Sequence, residues 1–418
     1  MVLSMFVTAL ILMVVAGAPS KVLLKAVGCT GKQRCVVTGE KKAGADADGV
    51  PLRVVQVSRG ERRNPEDEEV RGECSPDERW LVKGPGATDV RLLLSLCNDG
   101  YGAAGVGEDS IVVKTNRLIH EQSGGSAWRW VSVRELQLSP PKLVSSTSTS
   151  FHASTPQLVD ETRWSWDTFS GERSRAISLC TDEGTPDLRE EAEPKTIKQV
   201  LVPKLALPAA FTSGGWKETS LGACAAKAPY FTYGGKGSDD DATLKVVAVS
   251  DRELFLEITD DVFTTNEKKW IAGDHLELWL SEESRNITED CAGRRGPEAV
   301  QWAIDVPSGA VRSGQGNRIG RPTAELEVKG SLVRVRLRLP EGVWQAITVV
   351  YSDSDDGVKQ ERLLATSQFA FPQAATLGVL HPIDPKQATC VVENGALTPK
   401  LLWAPPATGP LFPSSSEN

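Results

Sequence analysis

Three side chains have the types and placement to hold a polar, ring-shaped ligand: Trp270, Glu277 and Gln301. An indole offers a flat apolar face, a carboxylate accepts hydrogen bonds, and an amide both donates and accepts them. Trp270 falls in a loop ahead of Gly273-Asp274. Glu277 alternates against Leu276 and Leu278, and Gln301 against Val300, Trp302 and Ile304. Both are therefore expected on the solvent side of their strands, because successive side chains leave a strand on opposite faces. A sugar ring suits this set, with apolar contact on its face and hydrogen bonds at its edge. The plainer alternative is a loop tryptophan folded back onto the sheet beside ordinary solvated polar residues.

Other groups invite chemistry, each with a plainer counterpart. Asp239 and Asp240 in one loop, and Asp353 and Asp355 in another, supply the hard oxygen donors that calcium takes. Solvated acidic turns look the same in sequence. Arg334, Arg336 and Arg338 leave one face of a single strand, where they would grip an acidic polysaccharide or pair with outward acids such as Glu325 and Glu327. The pairs Trp128/Trp130 and Trp164/Trp166 each share a strand face, as a sugar platform or as core. No GxSxG elbow, HExxH, phosphate-binding Walker loop or strand-following GxGxxG occurs, so no catalytic residues are assigned. No cofactor is required by this reading.

The elements that must position these groups are strands. Over 244–281, Leu254, Leu256 and Ile258 point one way and Glu253, Glu257 and Thr259 the other. Leu276, Leu278 and Leu280 oppose His275, Glu277 and Trp279 in the same manner. This period of two marks half-buried strands. Between them lie Asp260-Asp261, a loop ending in Trp270, and Gly273-Asp274.

That order of strand, acidic turn, loop tryptophan, Gly-Asp and acid-bearing strand resembles the family 9 carbohydrate-binding modules. The likeness continues through AVQWAIDV at 299–306, SLVRVRLRL at 331–339 and TVVYSDSDDGVKQ at 348–360, ending near Leu377-Gly378. It covers about 180 of the 418 residues. The resemblance implies a β-sandwich, with Trp270 as a sugar-stacking tryptophan, Glu277 as a hydroxyl-binding acid and Gln301 as a polar contact. It departs from the family in three ways. Trp270 and Asp274 have one extra residue between them, and apolar Trp302 or Ala303 stands where the family has an arginine. The 365–376 stretch has no second tryptophan, leaving Phe369 or Phe371 in that place.

The rest of the chain sets the context. Residues 1–18 form an apolar run closing on small residues, which reads as a signal peptide and implies a secreted, periplasmic or cell-surface protein. No later apolar run is long enough to span a membrane. Eight cysteines without a CxxC pair suit disulfides; Cys29–Cys35 and Cys74–Cys97 are the natural local pairs, leaving Cys180, Cys224, Cys291 and Cys390. A net charge of −8 argues against a nucleic-acid binder. The expected fold is all-β, with two sandwich-type domains: an unassigned N-terminal domain over 19–182 and the module-like sandwich over 197–390. A charged, proline-punctuated linker over 183–196 separates them, and a Pro/Ser-rich tail fills 391–418. The Ser/Thr-rich stretch 143–156 reads as a mobile loop. The expected function is secreted, non-catalytic binding of a polysaccharide or glycan, or surface adhesion. The alternative is a cell-envelope structural or interaction protein, partnered by an envelope protein, that uses the same fold without a sugar site.

Overall fold

The computed structural model describes residues 21–29, 34–60, 76–84, 89–97, 106–153, 155–177, 195–234, 242–282, 299–314, 320–342, 344, 346–368 and 376–402. The expected signal peptide at 1–18, most of the expected linker, Cys74, Cys180, Cys291, Asp239, Asp240, Phe369, Phe371 and the residues beyond 402 lie outside them. Among the described residues no helix is long and apolar enough to cross a membrane.

The protein is all-β and sandwich-like, built from several antiparallel sheets. Contacts divide it into two units. The first holds the described residues up to Gly100 together with Val113–Arg117. The second holds the described residues of Tyr101–Val112 and Leu118–Ala404. The first unit is a four-strand meander of Arg34–Ala45, Pro51–Gly60, Pro76–Lys83 and Asp89–Cys97. Val55, Val57 and Val82 pack there against Leu23 and Val27 of a short helix, beside the Cys29–Cys35 disulfide.

A seven-strand meander runs in sequence order from Val106–Lys114 to Lys195–Val200. Its strand Pro141–His152 (PKLVSSTSTSFH) corrects the expected mobile loop at 143–156. Hydroxyl side chains leave a backbone free to pair, and here it pairs on both sides, with Trp128–Leu138 and with Thr155–Ser165. Lys195–Val200 pairs with Ser170–Ile177, so this strand, at the end of the expected linker, lies within the second unit.

The sandwich follows. One sheet has the order Thr323–Lys329, Leu332–Arg338, Glu253–Thr259, Thr243–Ser250, Val202–Lys204, Leu380–Pro382. The facing sheet runs Tyr230–Tyr233, Arg362–Ala365, Ala346–Asp353, His275–Ser281, Val300–Asp305, Val311–Ser313. The alternation read from sequence supplies the layer between them. Leu254, Leu256, Ile258, Val333, Val335 and Leu337 meet Leu276, Leu278, Leu280, Val300, Trp302 and Ile304 in one apolar cluster. Fully burying one such side chain contributes roughly 1.5–3 kcal/mol relative to leaving it exposed.

The outer face of the first sheet is covered as well. Phe255 and Val247 pack with Phe211, Trp216, Leu221 and Leu397, and the Cys224–Cys390 disulfide ties the hairpin of Ala388–Glu393 and Ala396–Leu401 to this layer. Trp164 and Trp166 belong to the same cluster at 2% and 6% exposure, so this tryptophan pair is core and not a platform. Trp130 is half-buried, and the side chain of Trp128 lies outside the described set.

Truncating the shared layer is expected to be costly. Leu278→Ala should lower unfolding free energy by about 2–5 kcal/mol, whereas Val328→Thr on the edge strand, 45% exposed, should change it by less than about 0.5 kcal/mol. Urea denaturation of both variants checks this contrast.

Candidate functional site

Strand His275–Ser281 lies in the middle of its sheet and is buried at every position. The expectation that Glu277 faces solvent is therefore corrected: it is 5% exposed, between His275 at 1% and Trp279 at 3%. Trp279 packs with Ala299, Ala346, Val350, Ala365 and Leu377, so this outer face is itself a packed layer. Polar groups trapped there must find partners among themselves.

They do so in a chain. Trp279 Nε1 donates to Glu277 Oε2 at 2.8 Å, and His275 Nε2 lies 3.4 Å from Oε1. His275 Nδ1 sits 2.7 Å from the Gly273 carbonyl, which only accepts, so Nε2 can donate to Glu277 only when the ring is doubly protonated. Gln301, opposite Trp279 in the neighbouring strand, adds a hydrogen bond to the same carboxylate. A Cβ at Gly314 would lie 2.4 Å from Gln301 Oε1, so the amide keeps its place only beside a glycine. Burial pushes the Glu277 pKa up, but the His275 hydrogen bond and charge, with the bonds from Trp279 and Gln301, outweigh it and hold the carboxyl below its usual range. Glu277 is a buried anion.

Trp270 sits part-exposed in the short turn Trp270–Ala272, with its ring edge-on to His275 at 5.0 Å and 81°. The structure thus joins Trp270, Glu277 and part-buried Gln301 through His275, a residue outside the candidate set. Its signal was present: His275, Glu277 and Trp279 all alternate against the leucines.

A second cluster stands at the ends of these strands. Asp260, Asp353 and Asp355 each place a carboxylate oxygen within 4.8 Å of the others. Asp353 and Asp355 were expected to act together; Asp260 was not expected with them. Asp260 and Asp353 are 2% and 1% exposed, and the Tyr351 hydroxyl donates to Asp260. Neither carboxylate oxygen of Asp353 has a hydrogen-bond partner among the described residues, and Arg362 Nη1 stays 3.8 Å away. Burial, followed by the neighbouring Asp260 charge, pushes Asp353 up to about 7. Asp274, 1% exposed, is likewise pushed to about 7 by burial, against the backbone amides of Thr264 and Ser354 that bond it. An all-oxygen, anionic set with unsatisfied buried acceptors fits a hard divalent cation such as calcium.

The arginine row resolves as cross-strand pairing. Arg336 Nε meets Glu253 at 2.6 Å, Arg338 lies 3.6 Å from the same acid, and Arg334 is 3.4 Å from Glu257. Buried Glu257 also takes Lys245 at 2.9 Å, the Ser220 hydroxyl at 3.0 Å and the Leu221 amide at 3.2 Å. Those guanidiniums brace the sheet.

The sequence matches no family model and no curated protein. Among solved structures it is similar to a family 9 carbohydrate-binding module from Caldicellulosiruptor kristjanssonii in complex with cellotriose. The identity is 12%, the TM-score 0.33, and the match covers 44% of this chain and 92% of that one. The same kind of module with glucose gives 11% identity, a TM-score of 0.32, and 44% and 95% coverage. No residue correspondence follows from superpositions this loose.

The carboxylate cluster predicts an unusual pH response. Asp353 and Asp274 bind protons in the folded state up to about pH 7 but release them near 3.8 when unfolded. Stability is therefore lost as pH rises from about 4 through 7, by a few kcal/mol in all, of which roughly 1–2 kcal/mol remains to be lost above pH 6.5. His381, lowered to about 4 by burial, pulls the other way only below its unfolded value of 6.5, so the diagnostic window is about pH 6.5–8.5. Thermal melts in chelator should show a lower midpoint at pH 8.5 than at 6.5, and added calcium should remove the difference.

Proposed function

We propose that this chain is an exported, non-catalytic glycan-binding protein whose ligand packs on Trp270 and hydrogen-bonds at the margin of the His275–Glu277–Gln301 chain. The observation that carries the reading is Trp270 itself: an indole on a loop, part-exposed, with its edge held against a buried histidine. A part-exposed ring steadied by a buried partner can stack on a pyranose at little cost in side-chain entropy. Gln301, part-buried and bonded to Glu277 in the same chain that includes His275, offers the amide that a hydroxyl needs. Glu277 acts beneath the surface, orienting His275 and Gln301. Calcium at Asp260, Asp353 and Asp355 serves this reading as a structural ion. Export is supported by the disulfides Cys29–Cys35 and Cys224–Cys390 and by the apolar leader.

One observation favours a second reading, an envelope protein that keeps the fold for protein contacts. Both Glu277 oxygens are already engaged, by His275 and by Trp279, which leaves the acid little capacity for a sugar hydroxyl.

A glycan array probed with the purified chain separates the two. The expected result is binding that weakens at least tenfold, about 1.4 kcal/mol, in Trp270→Ala. A folded chain silent on neutral and acidic glycans alike would overturn the glycan reading and point to protein partners.

A further inference from the structure

The loop that carries Trp270 begins and ends in the carboxylate cluster. Asp260 closes the strand before it, and Asp274 opens the strand after it. Strand Ala346–Asp353 ends in Asp353, and the facing loop that follows it supplies Asp355. Three hydrogen bonds stitch the two loops together, and a fourth closes the first loop on itself. Asp274 accepts from the Thr264 amide at 2.6 Å with one oxygen and from the Ser354 amide at 2.8 Å with the other. The Thr264 hydroxyl donates to the Ser354 carbonyl at 2.7 Å, and Asn266 Nδ2 to the Gly357 carbonyl at 2.8 Å. Asn266 then turns the chain into the Trp270 segment, its Oδ1 accepting from the amides of Lys268 at 3.1 Å and Lys269 at 2.8 Å.

Once its acids are ionised, this seam carries a strong opposing force. Asp260, Asp274 and Asp353 are each at least 98% buried, and like charges so placed repel with little screening. The Tyr351 hydroxyl and Arg362 answer part of that charge. The two oxygens of Asp353 are buried and without a hydrogen-bond partner among the described residues, and one of them lies within 4.8 Å of a carboxylate oxygen of both Asp260 and Asp355, an arrangement that calls for a cation. A divalent ion would draw Asp260, at the start of the segment that presents Trp270, toward Asp353 and Asp355 opposite, where the Ser354 amide already holds Asp274 at the segment's other end.

We propose that a divalent cation held by Asp260, Asp353 and Asp355 sets the position of Trp270, making the ligand surface there cation-dependent. The inference rests on Trp270 as the ligand contact, but it has a readout that needs no glycan.

The experiment uses the full chain, stripped with chelator and titrated with calcium chloride. Three signals are followed: heat of binding, tryptophan fluorescence of the wild type minus that of Trp270→Phe, and affinity for any glycan bound. Calcium is expected to bind, to change the Trp270-specific fluorescence, and to strengthen glycan binding at least tenfold. Asp355→Asn, which alters the exposed member of the cluster and leaves the buried ones intact, should weaken calcium binding at least tenfold and shift the fluorescence change to correspondingly higher calcium. Absence of calcium binding by the folded chain overturns the proposal. So does calcium binding with no change in the Trp270-specific signal or in glycan affinity, an outcome that leaves the glycan reading standing. A calcium-dependent Trp270 signal with no glycan bound supports the coupling and overturns the glycan reading instead.

Discussion

The constraint on which the second unit depends is that strand His275–Ser281 is buried on both faces. Its leucines fill the layer between the sheets, and its other side chains fill a layer outside. A strand in that position cannot leave a polar group to water. Carrying His275 and Glu277 there requires that each be answered locally, and they are, by Gly273, Trp279, Gln301 and one another. Packing density on the inner face thus dictates a closed hydrogen-bond chain on the outer face. What reaches the surface is its margin, at Trp270 and Gln301.

The same economy governs the opposite sheet. Phe255 and Val247 are covered by the layer locked through Cys224–Cys390, and Glu257 is buried alongside them. Two cations, a hydroxyl and an amide surround that carboxylate, so burial and pairing oppose each other and pairing wins, lowering its pKa. At the Asp260 end burial wins instead, raising Asp274 and Asp353. The difference is one of composition: positive side chains converge on Glu257, while at the other end carboxylates converge on one another with Arg362 held at 3.8 Å. The first arrangement is complete in the protein. The second fits an added cation.

Much of this was legible in the residues. The alternation of Leu254, Leu256 and Ile258, and of Leu276, Leu278 and Leu280, located two core strands and the inward face of each. The paired fate of the three arginines was readable too, because outward acids of neighbouring strands stood at matching parity. Other features were not. The Ser/Thr run at 143–156 has the composition of a loop, and only its two flanking partners make it a strand. Trp164 and Trp166 carry the same local pattern whether they face a ligand or a core, and the layer that buries them comes from residues as distant as Leu397.

By itself the sequence determined period and parity: where the apolar-alternating strands lie, which of their residues share a face, and that Trp270, Glu277 and Gln301 lie in reach of one sheet. These are local properties, set by the two-residue repeat of an extended backbone. Only the tertiary structure decided what each face meets. Glu277 was outward by parity yet buried in fact, because Ala299, Ala346 and Leu377 supply a second layer from elsewhere in the chain. Asp260 joined Asp353 and Asp355 because two loops about 90 residues apart close over the same strand ends. Burial and charge proximity are sums over neighbours remote in sequence, and no window along the chain contains them.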